Sequence, residues 1–306
     1  MLTKNYSRIA ALGSGAYGIL LRMKFQVCFL LVAATPAEAI VNGEDDGGGH
    51  GAGVPEHGSP TSGAPTSGSP TSGSPTSGSP VPILADLPVK GHGVLIAPKW
   101  VVTCAHNVAA TPPRYVTIAG NACKVDGVIV HPGYRPLPQA MLDEALKTGN
   151  AAPVMAFLAA SDDIALLRLR DPIAGAVPAA LYVGRSEMSE TIGLLGKDAT
   201  GIGPVGTAAA EIKRTVLRRA RNVITSVDDR WMVYRFDRPP RALALESLMG
   251  DGGMLDDPHT EWRLAGLAAW REVQGDLRRP GRYGDSGFSV RISRYAQWLS
   301  DVMATR

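Results

Sequence analysis

His106 closes the run Trp100-Val101-Val102-Thr103-Cys104-Ala105, and Asp163 opens the run Ile164-Ala165-Leu166-Leu167. An imidazole and a carboxylate brought together make a general base whose tautomer is fixed by a hydrogen bond. Such a base takes the proton of a hydroxyl while that hydroxyl attacks a carbonyl. The third requirement is the hydroxyl itself. The Gly-Asp box Met249-Gly250-Asp251-Gly252-Gly253-Met254 offers a carboxylate and no hydroxyl. Taken alone, a histidine after an apolar strand reads as structural more readily than as catalytic, so the elements around it must decide.

Those elements are short apolar runs separated by turn signals: 94–96, 100–103, 115–118, 125–130, 164–169, 231–236 and 263–270. This spacing predicts an all-β sandwich or barrel in place of βαβ units. From Ile292 to Val302 the apolar residues fall at helical spacing and predict a C-terminal helix. Pro138 to Lys147 reads as a helix stopped at Thr148-Gly149, and Ala208 to Arg219 also has helical propensity.

Composition bounds the rest. The 306 residues, 45% of them hydrophobic, suit one or two loop-rich globular domains. The sequence pI of 8.8 is misleading, because four of the 31 basic and one of the 28 acidic side chains lie in residues 1–39 and the remainder is balanced. Nothing in it argues for nucleic acid or a membrane surface. Met23-Lys24, the apolar run from Phe25 to Ala34 and Ala37-Glu38-Ala39 have the form of a secretory signal peptide, too short to span a bilayer. Met23 reads as the start, with residues 1–22 a leader or an over-extension. Gly13-Ser14-Gly15-Ala16-Tyr17-Gly18 matches a GxGxxG pattern with no strand before it, and carries no nucleotide expectation.

Export, to the periplasm or outside, removes Cys28 and leaves Cys104 and Cys123 to pair or to remain buried thiols. From Ser59 to Gly78 the chain repeats Ser/Ala-Pro-Thr-Ser-Gly. The tract at about 44–81 is too poor in apolar surface to offset its ordering entropy and reads as a disordered tether. His50 and His57 within it read as solvated, and no metal or cofactor is expected.

The run from Gly91 to His106 is similar at most positions to the Cys-Gly-Gly-Ser-Leu-Ile-x-x-x-Trp-Val-Leu-Thr-Ala-Ala-His-Cys stretch of the trypsin-like (chymotrypsin-family) serine endopeptidases. Ile40-Val41-Asn42-Gly43 after the signal, His131-Pro132-x-Tyr134, Asp163-Ile164-Ala165-Leu166, the Gly-Asp box and Tyr295-x-x-Trp298 follow in the family's order. The resemblance covers residues 40–306 apart from the tether and an insertion between Tyr134 and Asp163. It implies two six-stranded antiparallel β-barrels with a C-terminal helix, a monomer, and a polypeptide substrate or protein ligand.

The resemblance makes His106 the base and Asp163, not its neighbour Asp162, the group that orients it. It places Gly252 at the nucleophile position and the N–H groups of Gly250 and Gly252 in the oxyanion hole, a contribution of about 3 kcal/mol per donor. The freed amine of Ile40 would pair with Asp251. Loop closure costs only about 0.6 kcal/mol per doubling of length, so the tether does not forbid that docking. Glu246, Arg271 and Gly287 fall in the substrate pocket. Gly91 and Asn107 stand where two cysteines usually clamp the histidine loop, and Arg271 stands where a glycine usually lets substrate pass.

Ser286, in Gly284-Asp285-Ser286-Gly287, lies just before the last strand, where the family has a pocket wall, and Ser247 falls on the pocket floor. Losing the nucleophile of such a site costs about a millionfold in turnover. The expected protein is therefore an exported endopeptidase homologue with an impaired site. The alternatives are an active endopeptidase using another serine, or with a sequence fault at the box, and an adhesive module built on the Pro-Thr-Ser-Gly tract.

Overall fold

The computed structural model describes residues 40–41, 44–45, 84–89, 91–197, 200–207, 217–238, 252–255, 262–275, 277 and 279–306. Two short strands come first, β1 (Ile40–Val41) and β2 (Glu44–Asp45). The next six are β3 (Leu84–Asp86), β4 (His92–Ala97), β5 (Trp100–Thr103), β6 (Tyr115–Ile118), β7 (Asn121–Val130) and β8 (Ala165–Leu169). They close into an antiparallel barrel in the order β3-β4-β5-β8-β7-β6.

The barrel follows from a period of two. Leu95, Val101 and Leu167 join Val116, Ile118 and Leu169 in its interior. Their chain neighbours Val94, Val102 and Leu166 belong to a second core shared with Trp231, Leu267 and Trp270. Strands buried on both faces read as continuous apolar runs, and each aliphatic side chain so buried contributes about 1.5–3 kcal/mol.

Between β7 and β8 the insertion forms α1 (Gln139–Thr148) and α2 (Ala152–Ala159). α1 ends where the sequence predicts, with Gly149 in the left-handed region at φ 72° and its N–H on the Ala145 carbonyl. Leu142, Ala145, Val154 and Leu158 enter the shared core. Trp231 donates its indole N–H to the Ala159 carbonyl at 2.9 Å and pins the end of α2.

The second half holds β9 (Ala180–Leu181), β10 (Thr191–Gly196), β11 (Thr200–Ile202), β12 (Gly206–Thr207), β13 (Arg218–Val227), β14 (Trp231–Arg235), β15 (Gly252–Leu255), β16 (Arg263–Glu272) and β17 (Ser286–Arg291). Its main sheet has eight strands, in the order β10-β15-β16-β17-β14-β13-β2 with β9 beside β16, and β10 also pairs with β13. β1, β11 and β12 form a small separate sheet. The chain ends in α3 (Ile292–Thr305), which buries Ile292, Tyr295 and Leu299.

Of the two six-stranded barrels expected from the sequence, the first is present as a closed barrel and the second half is this eight-stranded sheet. Two local expectations shift. Glu44 and Asp45, counted with the tether, pair with Arg219 and Arg218. Those arginines, at the end of the stretch with helical propensity, also pair with Leu195 and Gly196 in β10. Ladder hydrogen bonds on both sides outweigh a weak helix preference. Cys104 and Cys123 are free thiols. No helix among the described residues is long and apolar enough to cross a membrane.

One cluster ties the halves together. Asp162 accepts the Tyr295 hydroxyl at 2.7 Å and the Arg230 Nε at 2.8 Å, both on Oδ1. Its other oxygen lies 3.6 Å from His131, whose ring meets Tyr295 and Trp298 edge-on. Gly133 passes so close that a Cβ there would fall on the Asp162 carboxylate. Burial by itself raises the Asp162 carboxyl, but hydrogen bonds from Tyr295 and Arg230 and the positive charge outweigh it and hold it below its ordinary range.

A carboxyl depressed in the fold stabilises it above the unfolded pKa of about 4, and that contribution is lost as pH falls through the folded value. Tyr295→Phe is therefore expected to lower stability at pH 7 by about 1.5–3 kcal/mol in urea melts, the range for hydrogen bonds to charged groups. The variant is also expected to lose less further stability than the wild type between pH 5 and pH 3. An unchanged acid slope would detach Asp162 from this role.

Candidate functional site

The turn after β5 carries the histidine. Ala105–Asn107 forms one 3-10 turn, with Asn107 N–H on the Cys104 carbonyl at 3.2 Å and Val108 N–H on the Ala105 carbonyl at 3.0 Å. Asp163 sits just ahead of β8. Because Thr103 is paired with Ala165, these two segments emerge side by side from neighbouring strands. Residues 57 positions apart in sequence are thereby joined twice. Asp163 Oδ2 accepts the His106 Nδ1–H at 2.6 Å, and Oδ1 accepts the His106 backbone N–H at 2.8 Å.

This double bond sets the chemistry. With the Nδ1 proton on the carboxylate, Nε2 is the basic nitrogen, and the Asp163 charge is placed to stabilise an imidazolium. The side chains of His106 and Asp163 are 15% and 9% exposed, so the pair is sheltered with one edge still reachable from solvent. Among the described residues His106 makes no side-chain hydrogen bond except to Asp163. No hydroxyl of this set stands at Nε2.

The histidine turn is held without cysteines. Gly91 has φ 74°, and a Cβ there would lie 2.7 Å from the Asn107 side-chain amide. The Asn107 Nδ2 reaches Thr103 Oγ1 at 3.4 Å, and Thr103 Oγ1 donates to the His92 carbonyl at 2.8 Å. Close packing of a glycine on an amide thus occupies the place where the resemblance implies a clamp. On the far side of the dyad, Cys104 Sγ donates to the Ala268 carbonyl at 3.3 Å.

Beside His106 lies a small recess of about 20 Å³, room for about one water molecule, walled by Tyr134, Leu137, Leu158, Trp231 and Trp270. Leu137 and Leu158 come from the insertion, and sequence reasoning gave them no part here. The only available signal was the apolar run 153–158, which could equally be core. Trp270 is held from two sides, stacked on Phe288 at 3.7 Å and edge-on to Trp231 at 5.3 Å.

The pocket residues named from the sequence divide. Arg271 and Gly287 are direct partners across β16 and β17. Arg271 is buried at 2% exposure, and its positive charge opposes the rise that burial imposes on the Tyr234 hydroxyl, pushed up to about 12, and on the Asp285 carboxyl. Asp285 accepts N–H groups from Gln274, Gly281 and Arg282. Ser286 next to it begins β17, opposite Arg235 and Glu272. Its place in the ladder is that of a strand residue.

Gly252 begins β15, paired with Leu195. Ile40 lies in β1 against Thr200. Glu246, Ser247, Gly250 and Asp251 lie outside the described residues, and with them the expected oxyanion hole and the partner of Ile40. No protein-family model matches the chain, and no curated protein matches it at a significant level.

The geometry predicts the proton's position. In the wild type the neutral His106 imidazole is expected to carry its proton on Nδ1, as read by long-range 1H–15N correlation, and Asp163→Ala is expected to move the population toward the Nε2–H tautomer. An unchanged tautomer in the variant would separate the carboxylate from the ring's orientation.

Proposed function

We propose that this protein is an exported homologue of the trypsin-like serine endopeptidases that has lost peptide hydrolysis and retains a surface for extended polypeptide. The observation that carries it is the His106–Asp163 pair, with Nδ1 at 2.6 Å from the carboxylate and glycine at the position where the family keeps its nucleophile. The order of motifs from Ile40 to Trp298 supports the same reading. So does the double pairing of β10 with β13 and β15, which suits a second six-stranded barrel.

We place the polypeptide surface beside the dyad, where Trp270 lines the recess next to His106 and pairs with Phe288 of β17. The buried Arg271 stands where the family keeps a glycine, in line with recognition without turnover. On this reading the protein is a monomer working in the periplasm or outside the cell.

The chemistry gives the expected outcomes. A base without a hydroxyl beside it forms no acyl intermediate, so the mature protein should take up no fluorophosphonate probe. Labelling mapped to Ser286 or any other serine would overturn the reading. Gly252→Ser should introduce peptidase or esterase activity that disappears in the double variant with His106→Ala. A variant as inert as the wild type would mean that the surroundings of position 252 are not those of a decayed protease site.

A further inference from the structure

We propose that Cys104, His106 and Asp163 form a binding site for a divalent metal ion of borderline softness, zinc above all. A thiolate, an imidazole and a carboxylate are the donor types that favour such an ion over magnesium or calcium, which prefer oxygen alone. Their ligating atoms all lie within 4.8 Å of one another. Cys104 and His106 share one turn, and Asp163 is fixed beside them by the pairing of Thr103 with Ala165. The inference does not depend on peptide binding.

Zinc lies about 2.0–2.3 Å from such ligands, so two ligands of one tetrahedral ion are roughly 3.3–3.7 Å apart. The present Nδ1–Oδ2 distance of 2.6 Å is that of a shared proton, and the ion takes the proton's place. The ring and carboxylate separate by about an ångström while the thiol closes in, movements within side-chain torsions. The imidazole proton passes from Nδ1 to Nε2, and the thiol proton goes to solvent. The Ala268 carbonyl lies 3.3 Å from Cys104 Sγ and is a candidate fourth donor. Asp163 Oδ1 remains on the His106 backbone N–H and orients the carboxylate as a ligand's outer partner does.

The absent serine is what makes this arrangement tolerable. In a working relay the Nδ1 proton must stay on the carboxylate, and an ion at that place abolishes the base. With Gly252 at the nucleophile position no such demand remains.

Titration of the purified mature protein with Co2+ tests the site without any activity assay. The expected result is a thiolate-to-cobalt charge-transfer band that saturates at one ion per chain and is displaced by Zn2+. Cys104→Ser should remove the band and weaken zinc binding at least tenfold, the minimum loss seen even for outer partners of a metal ligand. His106→Ala, a change outside the apolar core, should weaken zinc binding similarly, whereas Cys123→Ser should leave both readouts intact. No charge-transfer band, or zinc affinity unchanged in Cys104→Ser and His106→Ala, would overturn the proposal and assign any bound ion to other histidines.

Discussion

The Asp162 carboxylate is the constraint on which the arrangement rests. It receives a helix through Tyr295 and a strand turn through Arg230, and it lies against the Gly133 backbone at the mouth of the insertion. Removing one partner of a buried charge costs more than the bond itself, because the charge is left without compensation. The next residue is Asp163. The segment that orients His106 is therefore fixed through its neighbour by elements from both halves of the fold, and two adjacent aspartates divide structural and chemical work between them.

The two contacts of Asp163 with His106 fix the ring's orientation, and on the proposed reading the attacking atom is missing from position 252. Polar bonds of this kind persist when they also hold the fold, and the bond from Asp163 Oδ1 to the His106 backbone does so by closing the turn after β5. The turn's other support, Gly91 against Asn107, involves no residue with reactive chemistry.

The parts legible in sequence were those with strong local signals. β4 and β5 are apolar runs with β-branched residues, β8 is a leucine-rich run, and α1 carries a glycine stop at Gly149. β13 was hidden because its inward positions are Ala220, Asn222 and Ile224, of which only the last is strongly apolar. Asn222 earns its buried place by hydrogen bonds to Val223 and Arg235 that a sequence cannot display. α2 was missed because Ala-Pro-Val-Met-Ala-Phe-Leu-Ala has no polar face, and an apolar run of that length fits strand or helix. The dyad was legible only through its resemblance to a family, since nothing local announces that positions 106 and 163 meet.

The contact between Trp231 and Trp270 has an optical consequence. Two indoles 5.3 Å apart at 71° exchange excitation, and both are shielded from water. Their coupled near-ultraviolet dichroism belongs to the wall of the recess beside His106, so this protein carries its own chromophore for occupancy. A guest that tilts the Trp270 ring away from Phe288 would alter the spectrum without any attached dye.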